Sequence, residues 1–204
     1  IETAERVALG EMWKVMLEHD FFVAEGQHFT VEEMESKIGV ADKYKRFFRR
    51  WLKIFENENF IKEEQDGFCR TSKSWKVDVA AEWDYLWGVE KQLNYGEGFV
   101  RYLEKCSKSL TQLFRNEIAP LELLFAHGEM TTAVDTYQKT LSSKILNHMA
   151  ECAVLEAYSE KKGKVFRILE VGAGVGGTSD GIIERLSEQN VEYYYTDVST
   201  YFLN

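Results

Sequence analysis

The chain has 204 residues, enough for one domain with a proper core or for two small ones. Hydrophobic residues make up 45% and charged residues 29%, a globular composition that argues against wholesale disorder. The formal net charge of −9 argues against nucleic acid as the main partner, because a phosphate backbone asks for a positive footprint. No apolar run approaches the roughly 18 residues of a membrane helix, and no signal peptide opens the chain. The expectation is a cytoplasmic protein with no membrane partner. Cys69, Cys106 and Cys152 match no CxxC metal spacing and read as reduced thiols, buried or half-buried, with no metal site. Because the chain opens at Ile1 directly into helical pattern, it reads as a piece of something longer.

Residues 2–18 are rich in helix formers, with Val7, Met12, Val15 and Met16 on one face. Thr30 followed by Glu33 is a capping box, and the helix it starts should end at Gly39. From Asp42 to about Asn57, the residues Tyr44, Phe47, Phe48, Trp51, Leu52 and Phe55 form a full amphipathic stripe. Phe60 to Glu64 reads as a strand, Asp66-Gly67 as a tight turn and Phe68 to Thr71 as a return strand. Three helices and a hairpin in this order suggest a winged helix. Residues 78–115 read as two helices broken near Tyr95 to Gly98, with Trp83, Leu86 and Trp87 clustered in the first. Pro120 opens a short apolar element closed by Gly128. Residues 130–158 are helical, with a break near Ser142-Ser143, and Leu141, Ile145, Met149, Cys152 and Ala153 are expected to face the core. After a polar linker, Val165 to Val171 reads as a parallel strand buried on both faces. A glycine loop, a helix from about Thr178 to Glu188 and a second strand ending at Asp197 complete one βαβ unit.

The loop reads Glu170-Val171-Gly172-Ala173-Gly174-Val175-Gly176-Gly177, between a strand and a helix, which is the setting that gives such a motif meaning. Gly172 allows the turn off the strand, Gly174 lets a ligand approach the backbone, and Gly176 and Gly177 let the helix start pack near the strand. Asp197 stands at the tip of the second strand, where a carboxylate can accept hydrogen bonds from the ribose hydroxyls of an adenosine. Glycines alone do not separate a dinucleotide from S-adenosylmethionine (SAM). Glu170 favours SAM: it suits the cationic methionine end of that ligand and would oppose a pyrophosphate at the helix N-terminus. The motif also lies deep in the chain, behind a helical region, whereas dinucleotide domains often begin with this strand.

The stretch Ile168 to Ser179 resembles the SAM-binding motif of class I methyltransferases. Gly176-Gly177-Thr178-Ser179, Tyr193 to Ser199 with its Thr196-Asp197-Val198-Ser199, and Phe202-Leu203 are similar to the methyltransferase domains of polyketide synthases. So are Pro120 to Phe125 with Gly128, Tyr137 on a helix expected over the cofactor, and, more loosely, Trp51-Leu52 and Asn59-Phe60-Ile61. Ala126-His127 and Val175 depart from that family's pattern.

The resemblance implies an α/β protein: a mostly helical, winged-helix-like lid over residues 1–115, then the first half of a Rossmann-like SAM-binding core over residues 116–204. It implies SAM as cofactor, held by Glu170, Gly172, Gly174, Gly176, Asp197, Val198 and Tyr137. The reaction it implies is C-methylation, α to a carbonyl, of an acyl group on the phosphopantetheine arm of an acyl carrier protein, alongside other domains of a longer synthase. No residue here inherits the role of catalytic base.

Two other readings are open, while a third, a non-catalytic scaffold with a degenerate cofactor site, is opposed by the intact Glu170, Gly172, Gly174 and Asp197. A small-molecule O-methyltransferase shares everything up to the cofactor site. A winged-helix nucleic-acid binder would use Lys43, Lys45, Arg46, Arg49, Arg50 and Lys53 on its third helix. Glu63, Glu64 and Asp66 on the wing oppose it, and a basic face or a docking patch for an acidic carrier protein suits those residues better. Trp51, Trp75, Trp83 and Trp87 suit a helical core better than the wall of an acyl chamber. His19, His28, His127 and His148 form no paired motif.

Overall fold

The computed structural model describes residues 2–73, 78–125, 130–161 and 163–203. Trp75 and the Ala126-His127-Gly128 segment lie outside these. The chain divides into two compact units that interleave in sequence: Ile1–Val89 with Leu103–Leu123, and Glu90–Tyr102 with Leu124–Asn204.

The first unit holds the dense core. Helix α1 (Glu2–Glu18) buries Val7, Trp13, Val15 and Met16. Helix α2 (Val31–Ile38) starts on a complete capping box: Thr30 Oγ1 accepts from the Glu33 N–H at 3.1 Å, and the Glu33 carboxylate accepts from the Thr30 N–H at 2.7 Å. Gly39 closes the helix in the left-handed conformation. Helix α3 (Asp42–Asn57) buries Phe48, Trp51, Leu52 and Phe55. Tyr44 is partly buried against them, whereas Phe47, expected in the same stripe, is 53% exposed. At 3.6 residues per turn the stripe is wider than the contact it serves, and Phe47 falls on its edge.

Strands β2 (Ile61–Glu64) and β3 (Gly67–Arg70) form the expected antiparallel hairpin. A third strand, β1 (His28–Phe29), pairs with the far edge of β3 and gives the order β1-β3-β2. Two residues are too few to show a strand period, so β1 left no mark in the sequence. Gly67 belongs to this junction, because a Cβ there would collide with the Phe29 carbonyl oxygen. Trp13, Phe22, Phe55 and Phe60 interlock, with Trp13 ring centroids 5.0–6.0 Å from the other three. Helices α4 (Val79–Leu93) and α5 (Glu97–Lys108) are followed by α6 (Leu110–Phe114), whose Phe114 reaches Phe48 and Trp51, and by α7 (Pro120–Leu124).

In the second unit, α8 (Thr131–Val134) continues into a π-helical turn (Asp135–Lys139). Thr140 ends that turn and caps α9 (Leu141–Ser159) through the Ser143 N–H at 3.2 Å, so the break falls just before the expected Ser142-Ser143. The break between α4 and α5 docks here, where the Leu141 N–H donates to the Tyr95 carbonyl at 2.6 Å. Strand β4 (Phe166–Val171), helix α10 (Ser179–Leu186) and strand β5 (Val191–Thr196) form a parallel βαβ unit, with Glu170 opposite Tyr195.

Three burial expectations are corrected. β4 is not covered on both faces: Phe166, Ile168 and Glu170 are half-buried, while Leu169 and Val171 are exposed, Val171 at 81%. Leu141, Ile145, Met149, Cys152 and Ala153 of α9 do not face a core, and Met149 is 62% exposed. Helix α10 contacts α9 and β5 on one side of the sheet, and no described segment of this unit covers the other side or that helix face. Cys152 is consequently an exposed free thiol, while Cys69 and Cys106 are half-buried.

Candidate cofactor site

The chain leaves β4 at Val171 and turns through Gly172, Gly174 and Gly176, all left-handed, with φ of 77°, 57° and 76°. Side chains resist that region, so the run of alternate glycines is what permits the turn. The loop is tied to the end of β5. The Gly172 and Ala173 N–H groups both donate to the Thr196 carbonyl, at 2.9 and 3.0 Å, and the Thr196 hydroxyl donates to the Glu170 carbonyl at 2.6 Å.

Asp197, just past β5, completes the tie. One carboxylate oxygen accepts from the Gly174 N–H at 2.9 Å and the other from the Ser199 N–H at 2.8 Å. The Gly174 carbonyl in turn accepts from the Tyr195 hydroxyl at 2.7 Å. Gly174 is therefore held through both of its backbone polar groups. Val198, beside Asp197, is fully exposed.

Glu170 points to the α10 side of the sheet. Its Oε2 accepts from the Ser179 hydroxyl and from the Tyr193 hydroxyl at 2.8 Å. Ser179 is buried at the first turn of α10, so this carboxylate joins strand, loop exit and helix. Burial, and then the hydrogen bond to Glu170, push the Tyr193 phenol up to about 12. Burial raises Tyr195 as well, with Glu170, Asp180 and Asp197 adding to it.

On the other side the loop meets the π-helical turn and α9. Gln138 Nε2 donates to the Val175 carbonyl at 2.8 Å, and the Thr178 hydroxyl donates to Asn147 Oδ1 at 2.9 Å. A Cβ on Gly177 would come within 3.0 Å of the Tyr137 carbonyl oxygen and 3.2 Å of Asn147 Nδ2. Gly177 thus allows the approach of the π-helical turn and α9 rather than of the strand. The Tyr137 side chain is 57% exposed.

The residues present fit an adenosine-type ligand. A Cβ built on Gly172 meets nothing within 4 Å, and one on Gly174 meets only the Gly172 carbonyl oxygen at 4.0 Å. The backbone at Gly172 and Gly174 thus faces open space, whereas a Cβ on Gly176 would lie 3.2 Å from Asp180 Oδ1. Each Asp197 oxygen spends one acceptor position on the backbone and keeps another. Glu170, Gly172, Gly174, Gly176, Asp197 and Val198 come together at the carboxyl end of the parallel strands, the usual ligand position in such sheets.

Ser179, Tyr193 and Tyr195, which contact Glu170 and Gly174, were given no site role from the sequence. Strand alternation places both tyrosines on the Glu170 face once the parallel register is known, so the signal for them was present. No sequence pattern pointed to Gln138 or Asn147. Among the described residues, no group of three or more His, Cys, Asp or Glu is arranged to hold a metal, and no helix is long and apolar enough to cross a membrane. Trp51 lies in the core, and Trp83 donates to Glu11 at 2.7 Å.

No family model matches the chain. Among curated proteins it is similar to pyochelin synthetase PchF of Pseudomonas aeruginosa (26% identity over 172 residues, 82% of this chain and 10% of that one). It is similar also to polyketide synthase PksR of Bacillus subtilis (28% over 185 residues, 84% and 7%) and to 5-methylorsellinic acid synthase of Aspergillus terreus (25% over 156 residues, 76% and 6%). The chain spans about a tenth or less of these relatives. Among solved structures, the CurJ carbon methyltransferase matches 98% of this chain and 53% of its own with a TM-score of 0.85 at 25% identity. The DszA carbon methyltransferase matches 97% and 52%, also with a TM-score of 0.85 at 25% identity. The CMeT domain of the citrinin polyketide synthase shares the fold, with a TM-score of 0.81 at 20% identity. In sequence and in fold, the chain is similar to the carbon-methyltransferase domains of polyketide synthases, and it spans about half the length of those solved.

Proposed function

We propose that the chain is the cofactor-binding part and amino-terminal lid of a SAM-dependent C-methyltransferase acting on an acyl group carried by an acyl carrier protein. The observation that carries this reading is the bare left-handed glycine backbone between β4 and α10, closed by Asp197 at the tip of β5. The likeness to carbon methyltransferases supports the reaction class. SAM would supply an electrophilic methyl group to the carbon α to the acyl carbonyl once that carbon has lost its proton.

The residues of this chain bind and align. Asp197 would accept from the ribose hydroxyls with its remaining lone pairs, Val198 would offer an apolar surface to the adenine, Gly172 and Gly174 would let the ligand approach the backbone, and Gly176 would shape the loop exit beside it. Glu170 adds negative charge at the strand end, suited to the cationic methionine portion, and Tyr137 lies on the helical turn beside the loop. Most of the acceleration comes from positioning, because a sulfonium methyl is intrinsically reactive. Residues 1–115 serve as the lid and residues 116–204 as the core.

Calorimetric titration with SAM tests the reading. Micromolar binding is expected, and Asp197→Ala should weaken it by about 1–3 kcal/mol, the cost of stranding hydrogen-bonding groups. Failure of the intact protein to bind SAM, with NAD bound instead, would overturn it.

A further inference from the structure

The six cations of α3 fall into two sets. Lys45, Arg49 and Lys53 are held by carboxylates of their own unit: Lys45 by Asp42 at 2.7 Å, Arg49 by Glu35 at 3.0 Å and Lys53 by Glu63 at 2.7 Å. Lys43, Arg46 and Arg50 have no carboxylate within ion-pair distance among the described residues, and Lys43 lies over the Tyr44 ring, 4.8 Å from its centroid. These three stand at i, i+3 and i+7, with Phe47 at i+4, so they share one helix face. All four are exposed. Phe47 is nonetheless seated, its ring centroid 6.1 Å from Trp51 and 6.0 Å from Phe114, so it presents a fixed apolar surface. Ile54, two turns further on, extends the apolar line and is also exposed.

A solvated face calls for charge but not for a seated aromatic ring. Aromatic and arginine side chains together are the residues enriched at protein interfaces. The patch is positive on a chain of net charge −9, so it attracts an anionic partner that the rest of the surface repels. Duplex nucleic acid fits poorly, because the hairpin of the same unit carries Glu63, Glu64 and Asp66. We infer that the Lys43–Arg46–Phe47–Arg50 face of α3 is the docking surface for an acidic face of the carrier protein that delivers the acyl group. This inference rests on the methyl-transfer reading proposed above.

The test measures binding of a purified carrier protein bearing its phosphopantetheine arm, and of SAM, to the same protein preparations. Arg46→Glu with Arg50→Glu should weaken carrier binding at least about tenfold, while wild-type affinity falls as salt rises. Lys62→Glu with Lys105→Glu makes the same charge change at exposed positions elsewhere and should leave carrier binding unchanged. Equal losses in both double variants, or none in either, would overturn the docking surface. Binding of a short DNA duplex that depends on Arg46 and Arg50, with no carrier binding, would overturn it in favour of nucleic acid. A protein that binds the carrier through these arginines but does not bind SAM would overturn the methyl-transfer reading and leave the docking surface standing.

Discussion

Glu170 and Asp197 both read from the sequence as ligand-facing carboxylates, yet each also has structural duties that no motif announced. Asp197 receives two backbone N–H groups and so holds Gly174 in place. Glu170 gathers the Ser179 and Tyr193 hydroxyls beneath the loop. The Tyr193 phenol bears the consequence. Its value in the fold, about 12, stands above the ordinary 10.0. Folding therefore favours the protonated phenol. The resulting stability is intact below pH 10.0 and is lost as pH rises toward about 12. Unfolding followed across that range should show a steep alkaline loss, and Tyr193→Phe should flatten it. An unchanged slope in the variant would assign the loss to another group.

At the scale of the element, helices with strong local signals were placed best. The capping box at Thr30 and Glu33 marked the start of α2, and α3 runs over the expected Asp42–Asn57. Hydrogen bonds to the Thr30 backbone and hydroxyl hold the Glu33 carboxyl below its ordinary value, so this contribution is present above the ordinary glutamate range and is lost as pH falls through the lowered value. Thr30→Ala should cost about 1 kcal/mol in urea unfolding at neutral pH. It should also reduce the acid sensitivity of the fold. Local patterns failed where an element depends on a distant neighbour. β1 exists because β3 offers it an edge. The π-helical turn at Asp135–Lys139 sets the Gln138 amide against the Val175 carbonyl and the Tyr137 carbonyl against Gly177, contacts that no helical period encodes.

Across the whole molecule, apolar residues are used unequally. The first unit buries an aromatic cluster around Trp13, Phe48, Phe55 and Phe60. The second leaves Leu141, Ile145, Met149, Leu169 and Val171 exposed. Removing a buried ring leaves a cavity, so Phe55→Ala should cost about 3–5 kcal/mol in denaturant unfolding. Ile145→Ala, at an exposed position, should change stability by no more than about 0.5 kcal/mol. A large loss at Ile145 would show that this helix face is covered in solution.

The sequence by itself determined the element order, the capped and amphipathic helices, the parallel βαβ unit, and the glycine loop with Asp197 at the tip of the second strand. These depend on short-range rules: hydrophobic period, capping chemistry and the conformations glycine permits. Only the tertiary structure decided which apolar faces are covered, that Glu170 is engaged by Ser179 and Tyr193, and which cations of α3 pair with carboxylates. Those outcomes depend on side chains brought together from positions far apart in the chain, and no local pattern specifies which distant partner a face will meet.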